Sequence, residues 1–215
     1  MMREFKMSLK MMKYGDNIKS NIGGGILFFL VGIWIVVGGG METVGIVLGS
    51  TYIFLSVMMM KQTAYSLHFV GLVASSPKKK IMEIYMLDVL DFISGIICYV
   101  ILLMTVWIQN QFAVQQNVQC GNALVFAGLE GGLILIYQAA NVKSFLLSSV
   151  GYVTVFCIIL MNMDKVIFPF GVIGGAVVGF LFVLLGIIAT GVLRRLIYRK
   201  PLSRYAAGQD LRKQM

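Results

Sequence analysis

Long apolar runs, separated by short polar connections, leave this chain few ways to fold. A helix needs about 20 residues to cross a bilayer, and the runs are continuous rather than alternating, which excludes a transmembrane β-barrel. With 59% hydrophobic and 13% charged residues in a 215-residue chain, no soluble domain of this size could bury the apolar surface. The reading is an all-α polytopic membrane protein. The first run follows about 20 polar and basic residues, no small-residue cleavage site succeeds it, and it reads as a retained span rather than a removed signal peptide.

Six spans are expected, at about Ile22–Val37, Val44–Met60, Met86–Ile108, Asn122–Ala140, Phe145–Met163 and Val166–Leu193. A tight turn at Gly38-Gly39-Gly40 joins the first two. The last run exceeds one crossing, and Phe168 to Gly171, "FPFG", is read as a kink or short re-entrant piece at its start. The domain layout is a segment at 1–20, a six-span domain at 21–193 and a basic tail at 194–215.

Basic residues orient these spans, because cytoplasmic loops carry the excess of lysine and arginine. With the N-terminus inside, the first segment holds Arg3, Lys6, Lys10, Lys13 and Lys19, and the loop after the second span holds Lys61, Lys78, Lys79 and Lys80. Lys143 follows the fourth span, and Arg194, Arg195, Arg199, Lys200, Arg204, Arg212 and Lys213 form the tail. Of the 18 basic residues only Lys165 then faces out. Both termini are expected in the cytoplasm, and the net charge of +9 serves topology and contact with anionic membrane lipid, not nucleic acid. In the first segment Met2, Phe5, Leu9 and Met12 share one helical face beside a stripe of Arg3, Lys6, Lys10 and Lys13, the pattern of an amphipathic interfacial helix; the alternative is a disordered basic tail.

Between the second and third spans lies "AYSLHFVGLVASS", with apolar residues at 65, 69, 72 and 73. It suits a short cytoplasmic helix with one side to bury. Ser76 then reads as an N-cap and Pro77 as the first position of the next helix. An apolar side on that face implies a protein partner or an interfacial position.

The amphipathic start "REFKMSLKMMKYGDNIKSN", two spans, the turn "VASSPKKKIMEIYML", four further spans and a basic tail resemble the membrane subunits of type-2 ABC exporters. The resemblance covers nearly the whole chain in layout and is most specific at "SSPKKK". It implies a permease that exports a hydrophobic or peptide substrate from the cell as a homodimer or with a similar permease in the plasma membrane. ATP and Mg would be bound by a separate ABC ATP-binding subunit. The segment at about 64–76 would be the coupling helix, its body at Ala64–Ala74, with Tyr65, His68, Phe69, Leu72, Ser76 and Lys78 facing that partner. The extracellular hairpin common between the last two spans of such subunits is reduced here to "MDKVIFPFG". The alternative reading is a non-transporting accessory, immunity or scaffold protein of the membrane; a secondary transporter or channel lacks detectable inverted repeats.

No G-x-x-x-x-G-K-[ST] occurs, a single histidine excludes a two-histidine metal site, and no Gly-x-Ser-x-Gly elbow is present, so enzyme activity in this polypeptide is not expected. The glycine clusters at 23–25 and 38–40 read as sites of close helix packing or turns. Cys98 and Cys157 fall in apolar runs and Cys120 in a short outward polar loop, giving no disulfide framework. Glu130 sits near the middle of the fourth span, where a carboxylate costs at least about 2.5 kcal/mol. It reads either as a group facing substrate or proton, or as a buried acid hydrogen-bonded to a neighbouring helix. Asp88 and Asp91, one turn apart, read as local ion-pair partners near Lys78 to Lys80, and Gln138 and Asn141 as the cytoplasmic end of the fourth span. Membrane-impermeant thiol reagents should leave cysteines introduced at Lys79 and Arg199 unmodified in intact cells; labelling at Lys79 would overturn the six-span layout.

Overall fold

The computed structural model describes residues 18–38, 43–61, 77–110, 117–141, 145–163, 165–168 and 171–197. Among these the regular structure is helical throughout: α1 (Ile18–Gly38), α2 (Thr43–Lys61), α3 (Pro77–Asn110), α4 (Asn117–Asn141), α5 (Phe145–Asn162) and α6 (Val172–Ile197). Five of them, all but α5, carry stretches long and apolar enough to cross a membrane, and the apolar stretch of α5, Ser149–Asn162, is shorter.

Inter-helix contacts show each helix antiparallel to the next in sequence. Lys61 meets Asp91 while Cys98 lies beside Ile53, so α2 and α3 run oppositely. The helices thus follow an up-and-down order. At the centre is α4, which touches α2, α3, α5 and α6. Every residue from Cys120 to Gly128 is buried. On the periphery, α1 rests mainly on α2 and turns Leu27, Leu30 and Trp34 outward.

Glycines set the closest approach in the bundle. A Cβ on Gly128 would collide with the backbone of Gly179, and one on Gly175 with the backbone of Gly121. One on Gly132 would lie 2.8 Å from the Phe182 carbonyl oxygen. The parallel helices α4 and α6 therefore meet backbone to backbone along a seam of small residues, the geometry that lets helices associate where lipid removes the hydrophobic drive. Between α1 and α2, Gly25 and Gly32 serve the same purpose: added Cβ atoms would lie 2.8 Å from the Ser56 carbonyl oxygen and 2.9 Å from that of Gly49. The packing expected of cluster 23–25 thus holds at Gly25, whereas Gly23 and Gly38 face open space. Hydroxyls are satisfied locally. Ser50, Thr51, Ser56, Thr105 and Thr190 donate to carbonyls three or four residues back, which lets them sit in apolar helices.

Several sequence boundaries move. Pro77 opens α3 as expected, and its N-terminal turns precede the apolar stretch Ile84–Ile108. α4 starts at Asn117, so Cys120 is not in a loop but buried in the helix. α6 begins at Val172, not Val166, and continues through Arg194 and Arg195 to Ile197. Residues 165–168 are non-helical and fold back on α4: the Asn122 amide donates to the carbonyls of Met163 (3.3 Å) and Val166 (3.1 Å) and accepts from the Phe168 N–H (3.3 Å). Phe168 packs its ring 5.8 Å from that of Phe126. Pro169 gives the physical reason, because the residue before a proline is pushed out of the helical region. Residues 1–17, 39–42, 62–76 and those from 198 onward, on which the interfacial helix, the tight turn, the coupling helix and the basic tail were expected, lie outside the described residues.

Gly128→Ala should lower the thermal midpoint of the purified protein, by an overpacking cost of about 1–3 kcal/mol. Gly151→Ala, in α5 with nothing within 4 Å of the added carbon, should be neutral or gain up to about 1 kcal/mol. Equal behaviour of the two variants in a thermal-shift assay would contradict the seam.

Candidate functional site

At the end of the bundle where α2 stops and α6 finishes, five ionic side chains from three helices converge. The Lys61 ammonium lies 2.9 Å from Asp91 Oδ1 and 2.8 Å from Ser94 Oγ. Arg194 pairs through one terminal nitrogen with Asp91 and through the other, at 2.5 Å, with Asp88. Arg195 reaches Asp88 Oδ2 at 3.0 Å. Asp91 and Arg194 are each 1% exposed and Lys61 7%, whereas the Arg195 side chain is 65% exposed. The cluster thus runs from a dry centre at Asp91 to a solvated rim at Arg195.

Helical geometry builds it. Asp88 and Asp91 are three residues apart on α3 and share a face. Arg194 lies at the end of an apolar helix, where it approaches both carboxylates, and Lys61 closes the group from the last position of α2. Removing one member of such a buried set leaves an uncompensated charge, at about 3–5 kcal/mol. Local pairing of Asp88 and Asp91 with Lys78 to Lys80 involves side chains outside the described residues; the described partners come from α2 and α6. Arg194 and Arg195, read as part of a basic tail, are helical and engaged. Opposite charge three helices apart in the chain carries no local signature, and only the packing of α3 against α2 and α6 reveals it. The available hint was that two carboxylates and three cations all sit at the same ends of their apolar runs.

The second polar group lies deeper. Glu130 is fully buried on α4 and accepts a hydrogen bond from the Tyr152 hydroxyl of α5. Its other oxygen, Oε2, has no hydrogen-bond partner among the described residues. One face of the Tyr152 ring set continues as Tyr137, 5.0 Å away at 31°, and Phe156, 6.0 Å away and nearly parallel at 9°. The Tyr137 hydroxyl and Ser149 Oγ are 3.2 Å apart. Gln138, expected to mark the cytoplasmic end of the fourth span, is buried within α4 and donates to the Met58 carbonyl of α2 at 3.4 Å; Asn141 ends α4.

Of the residues expected to face a partner, Tyr65, His68, Phe69, Leu72 and Ser76 lie outside the described residues. Lys78 falls in the first turn of α3, with its side chain undescribed. Among the described residues no group of three or more His, Cys, Asp or Glu gathers to hold a metal ion. No family model matches the chain, and neither does any curated protein or solved structure.

Asp91→Asn should lower the thermal midpoint far more than Asp88→Asn. Asp91 faces two cations in the dry centre, for which about 3 kcal/mol is expected, while Asp88 is partly solvated, for which about 1 kcal/mol is expected. Thermal unfolding followed by fluorescence-detected size exclusion checks this, and equal losses would contradict the burial gradient.

Proposed function

We propose that the chain is the membrane permease subunit of an ABC exporter, moving a hydrophobic or peptide substrate out of the cell. In this reading α5 is also a span, giving six, and both termini lie in the cytoplasm of a plasma-membrane protein. Separate ATP-binding subunits, holding ATP and Mg, drive a homodimer or a pair with a similar permease.

One observation carries the reading beyond resemblance. The ionic cluster clasps the two helices that bracket segment 62–76: Lys61 is the last residue of α2, and Asp88 and Asp91 lie about three and four turns into α3. It fastens both to α6 through Arg194, and α6 is locked to α4 by the glycine seam. A displacement of the 62–76 segment by an ATP-binding partner would pass through packed, discrete contacts to the helices at the centre of the bundle, as a rigid-body transport step requires. The segment's apolar side would be covered by that partner, which is why lipid need not cover it.

Phe69 is the anchor expected to fill the partner's groove, with His68 hydrogen-bonding beside it. Truncating a buried aromatic anchor costs about 2 kcal/mol or more, a loosening of about thirtyfold. Phe69→Ala should leave the helices folded but reduce copurification of an ATP-binding subunit and ATP hydrolysis coupled to transport. Equal recovery and equal coupled hydrolysis would overturn the coupling role and favour the accessory-protein reading.

A further inference from the structure

The polar seam between α4 and α5 points to a ligand chemistry. Glu130 brings a carboxyl group into the bundle at a depth where such a group costs at least about 2.5 kcal/mol, and one of its two oxygens accepts only from Tyr152 while the other, buried, meets no donor among the described residues. Lys61, Arg194 and Arg195 are engaged by Asp88 and Asp91 in the ionic cluster. Tyr152, which meets the carboxyl, is the middle of a row of three aromatic rings, with Tyr137 on one side and Phe156 on the other. Ring faces carry negative potential, and a carboxylate next to them makes a surface complementary to positive charge.

The surroundings narrow the class of cation. An inorganic metal ion would need several hard or nitrogen ligands, and no such group gathers among the described residues. The wall is aromatic, which suits an organic cation with apolar substituents. Access fits as well. α5 packs on the bundle chiefly through α4, its outward residues Val150, Val153 and Ile158 are exposed, and Tyr152 and Phe156 are half-buried at the seam. The carboxyl therefore lies one helix deep from the face turned to lipid, where lipophilic cations accumulate.

We infer that the α4–α5 seam binds a lipophilic organic cation, with Glu130 as counter-charge and Tyr137, Tyr152 and Phe156 as the aromatic wall. The inference deepens the exporter reading, on which its role as a substrate site rests, by naming the substrate class. The Tyr152 hydroxyl, bonded to Glu130 in the closed seam, is the group a cation displaces on binding. Glu130→Gln keeps the shape and loses the charge, and Phe156→Ala removes a ring remote from the Glu130 hydrogen bond.

The test is saturable binding of tritiated tetraphenylphosphonium to the purified full-length chain in detergent. Wild type should bind. Glu130→Gln should weaken binding by about tenfold or more and Phe156→Ala by about threefold or more, while Tyr152→Phe, which keeps its ring, should stay within about threefold of wild type. Tetraphenylborate, of the same shape and opposite charge, should not compete. Absence of saturable binding to wild type, undiminished binding to Glu130→Gln, or competition by tetraphenylborate would overturn the inference. Should Glu130→Gln fail to fold, Phe156→Ala decides, and unchanged affinity there overturns the aromatic wall. Because the assay contains no ATP-binding subunit, loss of the exporter reading by failed copurification leaves this result standing, and absence of binding in a chain that does copurify removes only the substrate class.

Discussion

A carboxylate with almost no access to water, Asp91, lies between Lys61 and Arg194, and the arrangement of the described helices at that end depends on it. Neither cation is tolerable in so dry a position without the carboxylate, and the carboxylate is not tolerable without them. Each comes from a different helix, so satisfying all three charges fixes α2, α3 and α6 relative to one another. Apolar packing alone would not specify this. In lipid a leucine gains little by facing another helix rather than an acyl chain, whereas an unpaired buried charge has one acceptable neighbour. Serine and threonine hydroxyls in the same helices place no such demand, because they bond to their own helix.

The remaining order follows from approach distance. Along α4 and α6, glycine faces backbone, and the two helices settle into the one register in which no side chain intervenes. α4 thereby becomes the most enclosed helix, which explains why it carries the deep polar residues Asn122, Glu130 and Gln138. Each reaches a different neighbour: the 163–168 segment, α5 and α2. The ionic cluster at one end and the Asn122 contacts toward the other hold the two ends of the bundle by different chemistry, charge at one and backbone hydrogen bonds at the other.

Much of the helical architecture was legible because apolar runs of bilayer length have few alternatives. The errors fell where hydropathy is a poor guide to helicity. Asn117 to Gly121 holds Asn117, Gln119 and Gly121 yet forms the first turn of α4, since helix propagation needs only compatible backbone and a packing partner. Val166 to Phe168 is apolar yet leaves the helix, since Pro169 constrains the residue before it. Glu130 could be singled out from sequence because its charge is isolated in an apolar run. The cluster of Lys61, Asp91 and Arg194 could not, because charges at the ends of spans look alike whether they face phosphate, water or one another. The glycine seam was written in the spacing of Gly128 and Gly132 and of Gly175 and Gly179, but such spacing acquires meaning only when the partner helix is known.

The central claim is that the buried charges act as one coupled unit. A double-mutant cycle on Lys61→Met and Asp91→Asn, read as thermal stability of the purified chain, tests it most directly. Lys61→Met alone leaves Asp91 paired with Arg194 and should cost stability. Asp91→Asn alone takes the shared carboxylate from Lys61 and leaves Arg194 with Asp88, and should cost more. Added to Asp91→Asn, the methionine removes one stranded charge while Arg194 keeps Asp88, so the same substitution that harms the wild type should raise the midpoint of the variant. A double variant whose loss equals the two single losses together would contradict the claim.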